Sequence, residues 1–293
     1  VTGPFMETGY LAFAMVMQFA DAFAFLVLAA CGLAIVFGMM GIVNLAHGEF
    51  IMCGAYVTVA AVHAGVPLPL AIAIGAIASA LAGMVVEFAC IRHLYGRPLD
   101  SIVLTWGISL VVTQTTLITL GSNMPSIGTP YGSFAVGPYS YSVYRLVLFG
   151  SALAVLAGLY IVFNWTRFGI AARATMQVPH MAAASGLDTR RIYSWTFAIG
   201  AGLAGLAGGL YAPTMTLVPT MGTSFMTEAF VTVVVGGADV ILGTAPAAAI
   251  LAIIKAGMTY WKGQLFGQIG LLIAVIVVIR ILPKGISGFL TRQ

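Results

Sequence analysis

One apolar run after another, each close to the length of a bilayer crossing, fills this chain almost from end to end. A helix needs about 20 predominantly apolar residues to cross hydrocarbon. Runs of that kind lie near 11–40, 45–64, 67–91, 101–120, 144–164, 192–212, 226–243, 244–262 and 264–282. The first is long enough to tilt or break. Only Gly243-Thr244-Ala245-Pro246, where Pro and Gly interrupt a helix, parts the short seventh from the eighth. Eight or nine crossings therefore fit. Charged residues make up 7% of the chain and apolar ones 61%, whereas a soluble domain carries about 25% charged residues. Such a chain cannot clothe a surface that faces water. The expectation is an all-α, polytopic membrane protein, a single transmembrane domain over 1–293 with no room for a soluble catalytic domain.

The basic residues orient it. Arg92 and Arg97 follow the third run, Arg167, Arg173, Arg190 and Arg191 lie between the fifth and sixth, and Arg280, Lys284 and Arg292 close the chain. By the positive-inside rule these regions face the cytoplasm, and the uncharged segments 121–143 and 213–225 face the other side. Nine crossings then put the N-terminus outside and the C-terminus inside. Lys262 can snorkel to the outer interface. Lys255, on the eighth run, has no interface within reach. The start Val1-Thr2-Gly3-Pro4 lacks a basic region and Glu7 precedes the first apolar run, so a cleavable leader is not expected. Cys31, Cys53 and Cys90 lie in apolar runs without metal-like spacing and read as small core residues, so neither disulfides nor metal ligation is expected. The run Gly200-Ala201-Gly202-Leu203-Ala204-Gly205-Leu206-Ala207-Gly208-Gly209 reads as a helix-packing seam of small residues.

Chemistry concentrates in 41–54. Asn44, His47 and Glu49 fall within six residues between apolar runs, flanked by Gly41, Gly48 and Gly54. Polar groups at membrane depth are costly unless they pair or line a wet cavity, and a glycine-broken backbone there needs protein or water to satisfy it. The segment reads as part of a permeation pathway; a short aqueous loop between two spans is the alternative. Asp239-x3-Gly243 echoes Asn44-x3-Gly48 about 195 residues later, as a parallel duplication of helical bundles would. Asp21, Glu87 and Glu228 also lie near membrane depth. Asp21 and Gln18 can share a helix face, and Glu87 with Arg92 and His93 marks the inner interface.

The cytoplasmic loop 165–191 is rich in helix formers, with Pro179 placed as a first helical residue, Gly186 as a terminator and Asp188 as an N-cap for the sixth span. Two short helices on the membrane surface follow. An interfacial anchor would satisfy the same composition. The apolar Met176, Val178 and Met181 instead suit a surface covered by a partner.

Together these residues resemble an inner-membrane permease subunit of the ABC importers for branched-chain amino acids, urea and short amides. Gly41–Glu49 is similar to that family's Gly-x-x-Asn-x-Ala-His-Gly-Glu signature. Arg173-Ala174, Met181-Ala182 and Gly186-Leu187 resemble its ATPase-coupling segment. Gly236, Gly237 and Gly243 resemble its late glycine stretch, with Asp239 where the family usually has Gly. Leu282-Pro283-Lys284-Gly285-Ile286 resembles its closing Arg-Pro-x-Gly-Leu. Tyr95-Gly96-Arg97-Pro98-Leu99 with Thr105-Trp106-Gly107-Ile108-Ser109-Leu110, and Pro219-Thr220-Met221-Gly222 running into Glu228, lean toward the urea branch. The resemblance implies a pathway near Asn44, His47, Glu49, Trp106, Ser109 and Asp239. It also implies a bacterial inner-membrane location, a second homologous permease subunit, two cytoplasmic ATPases and a periplasmic solute-binding protein.

No Gly-x4-Gly-Lys-Ser/Thr phosphate loop is present, so ATP would be used by the partner ATPases and no cofactor or nucleic acid is expected on this chain. The chain is expected not to be an enzyme: His47 and Glu49, two apart, face different sides of a helix. Urea is the leading solute, with branched-chain amino acids or short amides as alternatives. A passive channel for small neutral solutes suits the low charge, but has no need of a docking surface at 165–191.

Overall fold

The computed structural model describes residues 4–137, 139–237, 239, 243–282 and 285–290. Helix α1 (Pro4–Met40) is followed by α2 (His47–His63), α3 (Leu68–Ala89), a 3-10 turn (Ile91–Leu94) and α4 (Pro98–Leu120). A small hairpin of β1 (Ser133–Val136) and β2 (Tyr139–Ser142) leads into α5 (Tyr144–Trp165). Two short helices, α6 (Arg167–Gln177) and α7 (Pro179–Ala184), bridge to α8 (Thr189–Tyr211). Then come α9 (Met221–Gly236), α10 (Ala245–Lys262), α11 (Gln264–Ile281) and α12 (Gly285–Leu290).

Each apolar run of the sequence contains a helix, and α1 is one continuous rod. At about 1.5 Å per residue its 37 residues outreach a hydrocarbon core of roughly 30 Å. Among the described residues, six helical stretches are long and apolar enough to cross a membrane: Gly9–Met40, Leu68–Ala89, Pro98–Leu120, Tyr144–Trp165, Thr189–Thr214 and Gln264–Gly288. Helices α2 and α9 are shorter, at 17 and 16 residues. The seventh run ends early, because Gly237 adopts φ 85 and stops α9 there.

Helices α1 and α8 are buried along most of their length, whereas α4 and α5 are covered hardly at all by the rest of the chain. Small residues make that centre possible. A Cβ on Gly208 would lie 1.9 Å from the Ile51 carbonyl oxygen, and one on Gly54 would lie 2.2 Å from that of Gly205. The 200–209 run is thus the packing seam, with α1, α2 and α3 against it. Where backbones touch this closely, hydroxyls go to carbonyls. Ser79 donates to Phe50 at 3.0 Å, Thr58 to Gly54 at 2.7 Å, and Tyr144 to Leu210 at 2.7 Å.

The hairpin departs from an all-helical fold. Its strands pair antiparallel, Ser133 opposite Ser142 and Val136 opposite Tyr139. Phe134 and Tyr141 pack edge-on against Phe13, with centroids 6.3 and 5.5 Å away, which fastens the hairpin to α1. At the other end of the bundle, Glu87 accepts from Ser194 at 2.6 Å, bonds Tyr95 and pairs with Arg92 at 3.4 Å. It joins α3 to the start of α8. Connectivity fixes the two ends: α5 runs from the hairpin to α6, and α8 runs back from α7.

Candidate translocation site

Two polar features interrupt the apolar bundle. The first is the break before α2. Gly41, at φ 63, ends α1 with its N–H on the Phe37 carbonyl at 2.9 Å. Residues 41–44 are not helical and lead the chain back into the bundle, so α2 starts beside Ala29 and Gly32 of α1, well before that helix ends. A helix start leaves backbone N–H groups without intrahelical partners, and buried ones must be satisfied. Asn44 Oδ1 accepts from Ala46 N–H at 3.1 Å, and the Asn44 carbonyl accepts from His47 N–H at 3.3 Å. The Thr105 hydroxyl oxygen, on α4, accepts from Leu45 N–H at 3.1 Å.

His47 is 1% exposed, and its Nε2 lies 3.1 Å from the Ala29 carbonyl, a partner that requires the ring nitrogen to donate. Glu49 is buried in the first turn of α2, where a helix dipole favours negative charge. Ser109 donates to its Oε1 at 2.8 Å, and Thr113, one turn further along α4, faces the same carboxylate. Its Oε2 makes no hydrogen bond of good geometry among the described residues. Helix α9 starts here too. A Cβ on Gly48 would lie 2.0 Å from the Gly222 carbonyl oxygen, and one on Gly222 would lie 2.9 Å from Glu49 Oε1. Two helix starts therefore meet glycine to glycine in the interior.

The structure brings together Asn44, His47, Glu49 and Ser109 of the pathway residues expected from sequence. Trp106 does not join them; it is 58% exposed on the free face of α4. Asp239 belongs to a second break, between α9 and α10, where its backbone carbonyl accepts from Gly243 and Thr244 N–H at 3.1 Å each. Gly236 and Gly243 pack backbone to backbone there, and Gly285 closes on Gly237. Pro283 and Lys284 lie outside the described residues. Asn44 and Asp239 are thus both non-helical residues that precede a helix.

The second feature is a cavity of about 590 Å³ at the end of the bundle away from α6 and α7. It lies among α1, the first turn of α5, the 214–220 link, the start of α9, and the facing parts of α10 and α11. Four charged side chains line it. Arg145 pairs with Asp21 at 3.7 Å, and Lys255 binds Glu228 directly. Lys255 Nζ also stands 4.9 Å from the centroid of the Phe25 ring. A charge at membrane depth persists only when paired or wetted, so Glu228 and the cavity explain a lysine that has no interface. Tyr211, at the end of α8, is 5% exposed and packs on Phe25 and Phe225, yet its hydroxyl has no hydrogen-bond partner among the described residues. None of the six pathway residues expected from sequence lines this cavity. Arg145 escaped the sequence reading, and Asp21, Glu228 and Lys255 were not seen to converge. The legible signal was Lys255, whose depth demands a counter-charge on another helix.

The bridge at the opposite end is built as its sequence suggests. Thr166 caps α6 by accepting from Gly169 N–H at 3.1 Å, and Arg173 donates to Asn164 on α5 at 3.0 Å. Pro179 opens α7, Gly186 takes φ 86 after it, and Asp188 caps α8 by accepting from Arg191 N–H at 3.1 Å. The Ala174 carbonyl accepts from Val178 N–H at 3.2 Å, and that of Ala182 from Leu187 N–H at 3.1 Å. Ala182 is buried and Leu187 packs on the core, while Ile170, Met176, Val178 and Met181 are exposed.

Comparison with known proteins supplies the family. Residues 15–282 match the family described as branched-chain amino acid transport system permease component. The chain is 29% identical over 282 residues to a probable branched-chain amino acid transport permease LivH of Methanocaldococcus jannaschii, covering 90% of this chain and 88% of that one. It is 29% identical over 280 residues to the high-affinity permease LivH of Escherichia coli, covering 89% and 90%. To BraD of Pseudomonas aeruginosa it is 27% identical over 278 residues, covering 89% and 91%. No solved structure matches the chain. The leaning toward urea finds no support in these relatives; Thr105, one of the residues that carried it, has its hydroxyl at the start of α2 and does not line the cavity. Matched across nearly all its helices, including both interior breaks and the α6–α7 bridge, the chain belongs to the family of permease components of branched-chain amino acid transport systems.

Proposed function

We propose that this chain is the membrane-spanning subunit of an ABC importer for branched-chain amino acids. As a permease component it is a transport subunit and not itself an enzyme. The observation that carries the reading is the family match over 15–282. The relatives' names supply the solute, and the cavity favours it over urea. Fixed charges of both signs suit a solute with two charges better than a neutral one.

In this reading the chain crosses a bacterial inner membrane eight or nine times, with the α6–α7 bridge and the C-terminus cytoplasmic, following its arginines. The exposed face around Met176, Val178 and Met181 receives one of two ATPases, which supply the energy from ATP. A second, homologous permease and a periplasmic binding protein complete the importer. Asn44, His47, Glu49 and Ser109 brace the point where α2 and α9 start, so that a push on α6 and α7 moves packed helices between two arrangements. Trp106 and Asp239 belong to the same moving parts, on α4 and at the second break.

The test is ATP-dependent uptake by proteoliposomes holding this chain with its partner subunits, assayed with labelled leucine and labelled urea. Leucine is expected to accumulate and urea not. Urea taken up in preference to leucine would overturn the solute, and uptake undiminished by omission of the ATPases would overturn the importer class.

A further inference from the structure

We propose that the cavity beside Lys255 is a binding site for the complete amino-acid zwitterion, so that this chain recognises the solute itself; the proposal rests on the importer reading above. In an otherwise apolar bundle, the cavity gathers two acids and two bases from four different helices: Asp21 on α1, Arg145 on α5, Glu228 on α9 and Lys255 on α10. Their charges cancel. A neutral set of two ion pairs offers no net attraction to a cation or an anion alone. It can open to accept one solute that carries both charges, each new contact replacing one that was already there.

The geometry suits such an exchange. The Asp21–Arg145 pair is long, at 3.7 Å, with both side chains part-exposed, and Asp21 lies within electrostatic reach of Lys255 as well. A second, independent observation points to a ligand. Tyr211 lines the cavity with its ring against Phe25 and Phe225, and its buried hydroxyl has no hydrogen-bond partner among the described residues, which is costly unless something arrives to bond it. The start of α9 also borders the cavity at Thr220, Met221 and Ser224, presenting the end of a helix dipole that favours a carboxylate. Phe25, Phe225 and Leu148 supply the apolar wall that an aliphatic side chain needs. A cavity of about 590 Å³ falls within the roughly 300–1,000 Å³ usual for small-molecule sites. In the assignment this gives, Asp21 and Glu228 receive the ammonium group, Arg145, Lys255 and the Tyr211 hydroxyl receive the carboxylate, and the phenylalanine wall receives the side chain.

The experiment uses the reconstituted importer carrying Ser224→Cys, a cavity-wall position, and reads the rate at which that thiol is modified by a charged methanethiosulfonate, with mass spectrometry assigning the site. The probes are millimolar L-leucine, 4-methylpentanoate (leucine without its amino group), 3-methylbutylamine (leucine without its carboxylate) and urea. Leucine is expected to slow modification strongly, and the other three to leave it unchanged. Adding Lys255→Met or Glu228→Gln should weaken protection by leucine roughly tenfold or more, the scale on which a paired charge contributes to binding. Protection is scored against each variant's own unprotected rate, so that the changed charge beside the thiol does not enter the comparison. Protection by 4-methylpentanoate or 3-methylbutylamine equal to that by leucine would overturn the zwitterion site, and this comparison needs no second variant to fold. Leucine uptake without any protection at position 224 would overturn the site and leave the importer reading standing. Absence of leucine uptake by an importer that accumulates another solute would overturn both.

Discussion

At the scale of the residue, depth decides what a polar group must do. Asn44 and Thr105 spend their oxygens on backbone N–H groups at a helix start that is largely buried. Removing the Thr105 hydroxyl strands a part-buried donor, at a cost of about 1 kcal/mol. Thr105→Val is therefore expected to lower the melting temperature of the purified permease while leaving its solute preference intact, as a thermal-shift assay beside competitive uptake will show. An altered preference at unchanged stability would instead place Thr105 on the solute route. Asn44→Leu and Glu49→Leu are expected to abolish uptake without loss of membrane-inserted protein, measured by immunoblot and transport in the same vesicles. Normal uptake by both variants would make the break a passive loop. The sequence showed these residues clearly, because Asn, His and Glu between apolar runs are conspicuous. It did not show the partners, since Ser109 lies 60 residues from Glu49 and Lys255 lies 27 from Glu228, and a one-dimensional pattern holds no such pairing.

At the scale of the element, the helices were legible and the interior breaks only half so. Apolar runs of bilayer length placed every long helix, helix-forming composition placed α6, and Pro179, Gly186 and Asp188 placed α7 and the start of α8, because those signals are local. The hairpin was missed: its Tyr-Ser-Tyr-Ser strand is short, and what holds it is Phe13, over a hundred residues away. Close helix contact explains the glycines. Gly208→Val would drive a side chain into the Ile51 carbonyl, and overpacking of this kind costs roughly 1–3 kcal/mol or more. A fall in inserted, monodisperse protein by size-exclusion chromatography is expected, with Gly107→Ala, whose surroundings are open, as the neutral control. For the bridge, Met181→Asp is expected to break the link between ATP hydrolysis and uptake, so that hydrolysis continues while transport falls. Coupled transport at the normal rate would remove the docking role from α7.

At the scale of the whole molecule, the two ends of the bundle carry different chemistry. An apolar, exposed bridge lies at one end, and a charged cavity opens at the other. Between them stand α1 and α8, packed along the small-residue seam, and the glycine contact at which α2 and α9 begin. Such a body transmits force as rigid pieces that repack, not as a deformable medium. The central claim is that nucleotide at the cytoplasmic end changes access to the cavity at the far end. The most direct measurement is the modification rate of Ser224→Cys in the assembled importer, without nucleotide and with a trapped ATP analogue. The account predicts rates that differ by about tenfold, a population shift of about 1.4 kcal/mol, and rates that converge when Met181→Asp is added. Equal rates in both nucleotide states, in an importer that still transports leucine, would contradict it.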